Sequence, residues 1–560
     1  MTTVACAGEW IPRELPAGTA LPDPQSWWGE YGYPGWVADL WLDGESPAQV
    51  AGHARGGLRI DEPLRPPRSL ADPGGTRSFI PLTFYDSLRV VQGVGSARQG
   101  FDGALTTLEG RTGGPGPRGA DAVLDLRSGD FNWDENSLMV GRRDSTSWLR
   151  AEAYDLKRNP FGYYETAGRH MWDLAGGLTR KRHSVWGSFS QEARASSLRS
   201  TEEQSTEAHV GSASYRYDAP SGSGFELDYA RARSRYESFA DYFDQSIRSA
   251  TNERFAGSMW HRSGFTGSLE YRKEHVLRSL SDEFDAHAHS LWGTFGWSGM
   301  LGAGRLDATL GAGTHQALDN KLYPAPSVSY EVQGNGFNAR AGIERVLHAQ
   351  WVDLVLDVNP FLQSTWAGVL DLNLGSTPQR HARLTYLAGR TRARIIINRT
   401  PLEEFALRTG AFPDPDLYGF GLFSAEGHTE WRALFFTGSA FVLSRPRSDA
   451  QSRVDPGSGG RAIVGTRFHL FQGDLAVQLW GGAEGVGARE SEIAAERVLP
   501  AYATSSFGTT IRWGEVWITV RARNLENESH EEPWEDAESG LEALGPGREL
   551  RFALTAVLHN

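Results

Sequence analysis

The chain has 560 residues, one cysteine, 65 glycines, 19 tryptophans and a formal net charge of −13. The acidic balance argues against a nucleic-acid binder, the lone cysteine excludes a disulfide scaffold or multi-cysteine metal centre, and 11% aromatics are too many for disorder. No stretch approaches the ~18 consecutive apolar residues of a membrane helix, and at 39% hydrophobic the chain has no obvious single core.

Residues Ala5-Cys6-Ala7, followed by Gly8-Glu9, have the small-x-small pattern of a signal-peptidase site. Residues 1–7 are therefore expected to be a signal-peptide remnant, which would leave the mature chain without cysteine. Residues 8–118 are rich in Pro and Gly and poor in long alternating runs. Val37–Gly44 reads as a strand into a turn, and it is followed by the short runs Ile80–Leu82, Ser87–Ser96 and Gly103–Leu108. Gly93-Val94-Gly95 lacks the third glycine and the following helix that a dinucleotide loop requires.

From about Asp121 to the end the dominant period is two. Phe265, Gly267, Leu269 and Tyr271 alternate with Thr266, Ser268, Glu270 and Arg272. Val464, Thr466, Phe468 and Leu470 alternate with Gly465, Arg467 and His469. Ala503–Trp513 and Val516–Ala522 make a hairpin about Gly514-Glu515 with one apolar and one polar face. Short turns are expected near Asp144, Arg182, Ser221, Ser263, Leu301, Asn335, Thr377, Thr437, Gly473 and Gly514. Between them lie longer polar stretches such as Ser200–Glu207, Arg399–Tyr418 and Glu526–Gly545. Short turns at one end and long loops at the other describe a transmembrane antiparallel β-barrel. If both ends of the chain are periplasmic, n strands need n/2 − 1 periplasmic turns. These ten turns then give about 22 strands, within a range of roughly 18–24. Trp148, Trp172, Trp186, Trp260, Trp292, Trp297 and Trp513, near strand ends, are expected to form the interfacial girdles.

The chemistry on offer is sparse. There is no nucleophile elbow, zinc-protease helix, phosphate loop or CxxC pair, so no catalytic residue and no cofactor is expected. Asp285, His287 and His289 alternate and share one face of a strand, which makes them candidate ligands for one metal ion, against a plain polar lumen face or exposed loop. Arg467, Arg512, Arg521 and Arg523 are expected to face the lumen, and pairing with acidic residues of the amino-terminal segment is favoured over steering an anionic solute. The acidic run Glu526, Glu528, Glu531, Glu532, Glu535, Asp536 and Glu538 reads as a solvated external loop, with Ca²⁺ bridging to lipopolysaccharide as the other reading.

Ile80–Glu109 resembles the second half of the plug of TonB-dependent outer-membrane receptors. The resemblance is carried by a strand around Arg89, the turn glycines Gly93 and Gly95, and Gly100 and Gly103 before a final strand. The carboxy-terminal end is similar as well. Tyr502 opens a strand, Asn524-Leu525 ends the next, and Gly547-Arg548 opens the last, in which Phe552 lies among Leu550, Leu554 and Leu558. The departures are a region shorter than the family's plug, no visible TonB box, Gln92 and Gln99 in place of the usual arginine and tyrosine, and a terminal Asn560.

The resemblance implies a shortened plug at 8–118 in the lumen of a barrel at 119–560. It also implies a scarce small solute as ligand, outer-membrane lipid and lipopolysaccharide as surroundings, and the TonB energy-transducing complex as partner. The alternatives are an uncoupled porin or surface-binding barrel, and a soluble all-β carbohydrate-binding or carbohydrate-active protein. A charge-free apolar band on the outer face of every strand separates the barrel readings from the soluble one.

Overall fold

The computed structural model describes residues 11–12, 58–61, 87–92, 100–101, 103 and 106–111 of the amino-terminal part. From residue 119 to 559 it describes all but 131–132, 159–165, 200–201, 241–243, 280–283, 319, 355–356, 378–379, 398–399, 403–417, 445–456, 491–496, 530, 536–541 and 545–546. Residues 1–7, Gly93 and Gly95 lie outside these, as do Asp536 and Glu538.

Twenty-two antiparallel strands, from Gly119–Gly129 to Glu549–His559, each pair with their sequence neighbours. The last closes on the first with Leu554 opposite Leu126. The strand count is the one the turn arithmetic gives. Ten connections at one end span two to five residues. Those at the other end are longer in several places, reaching residues 524–548 between the last two strands. In barrels of this kind the short-turn end faces the periplasm.

Nine of the ten expected turns are at or directly beside a connection between strands, and the tenth needs correction. Thr437 lies within the strand Leu434–Ser444, and the turn is at residues 432–433. Arg432 takes a left-handed backbone there (φ 58°), with its guanidinium 5.3 Å from the centre of the Trp431 ring. The stretch Ser200–Glu207 is also not a loop from Glu202 onward. The strand Glu202–Asp218 includes it, pairing with His183–Arg199 from Glu203 opposite Ser197 downward. Strands that rise beyond the lipid are polar on both faces, so their alternation fades although their pairing continues.

The face pattern is inverted relative to a soluble sandwich. Leu227, Leu269, Phe295, Leu310, Ile343, Leu370, Val464 and Phe507 all point outward and are at least half exposed. On the opposite parity Asp125, Arg150, Glu274, Glu344, Asp371, Thr437, Gln478 and Arg521 are buried. Apolar outside and polar inside is what a hydrocarbon solvent requires, and it excludes the soluble all-β reading. The tryptophan girdle needs correction by the same parity. Trp172, Trp297 and Trp513 share the outward face, but Trp148, Trp186 and Trp260 lie opposite the outward Leu149, Val185 and Met259 and so face the lumen near the short turns. Trp292 is buried inside.

Leu370→Arg on the outer face is expected to destabilise the barrel by about 2–4 kcal/mol, whereas Trp513→Arg beside the short turn should cost about 0–1 kcal/mol. Denaturant unfolding in lipid vesicles, followed by tryptophan fluorescence, reads the difference.

Candidate functional site

The lumen wall is a ladder of opposite charges contributed by neighbouring residues on alternate positions. Asp125 accepts from Arg127 at 2.8 Å, Glu270 from Arg254 at 2.7 Å and from Arg272 at 2.8 Å, and Glu549 from Arg551 Nε at 2.7 Å. Across the strands Asp357–Thr377 and Arg380–Ile397, Arg383 grips Asp371 with two parallel bonds of 2.9 Å, and the Thr385 hydroxyl adds a third at 3.3 Å. Buried charges at this density persist because they are paired, and removing one partner leaves the other uncompensated.

The four candidate arginines all face the lumen. Arg467 pairs with Glu430, which also receives His428 Nε2 at 3.2 Å, and lies 4.8 Å from the centre of the Phe435 ring. Arg523 lies 3.6 Å from Glu484, Arg512 stacks at 5.4 Å on Trp517, and Arg521 lies 6.0 Å from the centre of the Trp480 ring. The carboxylates described for Arg467 and Arg523 thus belong to the barrel wall, each two strands away from its arginine. The expected pairing with amino-terminal acidic residues concerns side chains outside the described set.

The amino-terminal part forms a small sheet in the order Ile11–Pro12, Ser87–Gln92, Thr106–Arg111, Leu58–Asp61, in which Arg89 stands opposite Glu109. Two of the motif glycines act where this part meets the wall. Gly103 N–H donates to Leu347 O at 2.7 Å, and Ala349 N–H donates to Phe101 O at 2.7 Å, an antiparallel pairing of two short stretches. The reason lies in the neighbouring strand Tyr323–Gly334. It carries Pro324 and Pro326, which have no N–H to give, and its ladder with Phe337–Leu354 begins only at Ser327 opposite Glu344. Above Glu344 that strand therefore has an edge with no barrel partner among the described residues. Arg345 satisfies Pro324 O at 3.1 Å, and the Phe101–Gly103 stretch takes Leu347 and Ala349.

Phe101, 4% exposed, fills the resulting notch among Trp292, Leu318, Tyr323, Ala325, Leu347, Ala349 and Leu362. Its ring meets Trp292 at 5.3 Å, His315 at 5.4 Å and Tyr323 at 5.8 Å, each edge-on. Gly100, at φ +66°, turns the chain beside Trp292. A Cβ on Gly103 would stand 2.7 Å from Leu347 O, so only glycine allows the backbones this close. Phe101 was not among the residues singled out from the sequence. The signal was an aromatic residue held between the glycines Gly100 and Gly103.

At the carboxy-terminal end Asn524 (φ 46°) is buried, donates to Glu528 O at 2.7 Å and accepts from Glu528 N–H at 3.0 Å. Arg548 N–H reaches Asn527 at 2.8 Å and its guanidinium reaches Leu525 O at 2.9 Å, so Gly547-Arg548 ties the last loop to the strand before it. Tyr502 begins its strand opposite Val486, and Phe552 faces outward opposite Val520. In the acidic loop, the Ser505 hydroxyl and backbone N–H bonded to Glu526 hold that carboxyl below its usual range.

The metal candidates need correction. Asp285, His287 and His289 share the outward parity of Leu291 and Phe295, not the lumen. His289 stands apart, accepting or donating at 2.7 Å with the Tyr271 hydroxyl. The residue that joins Asp285 and His287 is His275 of the adjacent strand. Same-face neighbours along a strand are about 6.6–6.8 Å apart, so three in a row span too far for one ion. A directly opposite residue at roughly 4.5–5.5 Å does not.

The chain matches solved outer-membrane proteins along nearly its whole length. The siderophore receptor PirA from Acinetobacter baumannii superposes with a TM-score of 0.69 at 9% identity, covering 91% of this chain and 92% of that one. The copper transporter OprC gives 0.67 at 11% identity over 92% of both chains, and the FrpB iron transporter from Neisseria meningitidis 0.66 at 10% identity over 90% and 92%. The chain has the fold of the TonB-dependent outer-membrane receptors. No protein-family model and no curated protein matches the sequence, and at this identity the likeness speaks for the fold.

Phe101→Ala empties a fully packed aromatic site and is expected to weaken the fastening by about 3–5 kcal/mol. Hydrogen exchange at the Ala349 amide should accelerate accordingly while exchange at the far side of the barrel stays unchanged. Asp371→Asn leaves Arg383 without its carboxylate and should lower barrel stability by about 3–5 kcal/mol in denaturant unfolding.

Proposed function

We propose that the protein is an outer-membrane receptor and transporter in which residues 8–118 act as a shortened plug within the 119–560 barrel. It binds a scarce small solute from outside and admits it when the plug rearranges, driven by the TonB energy-transducing complex. The observation that carries this reading is the fastening of Phe101–Gly103 to the lumenal side of the wall, which puts amino-terminal chain where an open pore would have water. The burial of the charged lumen ladder supports it. The surroundings are outer-membrane lipid and lipopolysaccharide, in line with the outward apolar band.

For the solute we propose a metal ion or metal chelate. The titles of the similar structures name copper, iron and siderophores, and a lumen offering both arginines and carboxylates suits a charged polar chelate. The second reading is an uncoupled porin or surface-binding barrel, favoured by the departures from the family's plug pattern.

Conductance separates the two. The full chain reconstituted in planar bilayers should show no large stable open state, and Phe101→Ala combined with Gly103→Val should raise the frequency of openings. A large steady conductance from the unaltered chain would instead establish the porin.

A further inference from the structure

His275, on the strand Phe265–Ser279, and Asp285 and His287, on the strand Phe284–Leu301, meet on the outer surface of the barrel, away from the lumen and the plug. His275 stands directly opposite His287 in the register. Their rings lie nearly parallel, 4.1 Å between centres and 8° between planes. Both present Nε2 to the same carboxylate oxygen, Asp285 Oδ1, at 2.7 Å from His275 and 3.4 Å from His287. All the potential ligand atoms lie within 4.8 Å of one another.

The height of the cluster follows from the same two strands. The outward apolar run on Phe284–Leu301 extends from Leu301 up to Leu291, and on the neighbour up to Tyr271, where Tyr271 stacks on His289. At a strand tilt of about 40° each residue climbs about 2.5 Å, so this run spans roughly the 25 Å of an apolar band. His287 and Asp285 are four and six residues beyond Leu291, which places them about 10–15 Å above the band, in the layer of lipopolysaccharide head groups. Asp285 and His287 are each 56% exposed, near the start of the strand Phe284–Leu301.

A lone histidine–aspartate contact is an ordinary surface hydrogen bond. Two stacked imidazoles aimed at one oxygen are not explained that way, since one Nε2–H satisfies the oxygen's contact and the second ring gains little. A cation at the point of convergence would accept a lone pair from each Nε2 and from the carboxylate. Tetrahedral coordination with bonds of about 2.0–2.1 Å sets ligand atoms about 3.3 Å apart, so the group needs only a small inward movement. Imidazole donors select first-row transition ions over Ca²⁺ and Mg²⁺, which prefer all-oxygen shells.

We propose that His275, Asp285 and His287 form a binding site for a divalent first-row transition ion such as Zn²⁺ or Cu²⁺ on the external outer wall. The bound ion ties the upper ends of the two strands together and leaves one or two coordination positions open to water. The site is independent of the transport reading. It lies on the opposite face from the lumen, so a negative result for transport leaves it standing.

The test is isothermal titration of the tag-free full-length protein in detergent with ZnCl₂, alongside electron paramagnetic resonance with CuCl₂. One saturable equivalent is expected, with nitrogen hyperfine structure from two imidazoles on Cu²⁺. Loss of even an outer partner of a metal ligand costs 10–100-fold in affinity, so His275→Ala or His287→Ala should weaken binding by at least about tenfold. His289→Ala should leave it unchanged. All of these side chains are at the surface, and heat-modified migration in gels checks that each variant barrel is folded. Absence of saturable Zn²⁺ binding, indifference to His275→Ala, or equal affinity for CaCl₂ would each overturn the proposal.

Discussion

The structure depends on one constraint. Within lipid every backbone N–H and C=O must find a partner inside the protein, and a closed antiparallel sheet is the strand solution. The chain meets it with twenty-two strands that close Glu549–His559 on Gly119–Gly129. The face pattern, the short turns and the burial of charge all follow from that closure. The ladder stops early above Glu344, where Pro324 and Pro326 end the pairing of a strand that carries on to Leu354. The unpaired edge is completed by a stretch from the opposite end of the chain, more than two hundred residues away in sequence. Wall and plug-like segment are thus not separate solutions to separate problems.

The barrel was legible because its signal is the plainest a sequence carries, a period of two punctuated by turns. Where the reading failed, the physics shows why. The turn at 432–433 has Trp431, Arg432 and Ala433 in place of the glycine, asparagine or aspartate that announce a turn, and Arg432 takes the left-handed backbone without that help. The tryptophans failed through parity, because proximity to a strand end does not say which face a ring is on. Trp148 and Leu149 are adjacent, and only the neighbour is in the lipid.

The candidate site was less legible, for a related reason. Residues along one strand are visible as a pattern, whereas residues across a ladder are brought together by register. Asp285, His287 and His289 form a pattern, yet His275, ten residues before Asp285, completes the cluster. Phe101 is the same case at longer range. Its partners Trp292, Tyr323 and Leu347 come from three strands, and the glycines on either side of it record the close approach without naming the strand approached.

The wall is also uneven in height. Gly304–His315 and Tyr323–Gly334 have 12 residues each, between Phe284–Leu301 and Phe337–Leu354 with 18. A deficit of six residues on strands tilted by about 40° lowers the margin by roughly 15 Å. The margin therefore steps down between these two taller strands, as it does along the shorter strands Gly119–Arg158 and Leu475–His559, and Phe101 is seated at the foot of the step. On that side the upper end of Phe284–Leu301 stands clear of the shorter strand beside it, whose ladder reaches only Ser290 opposite His315.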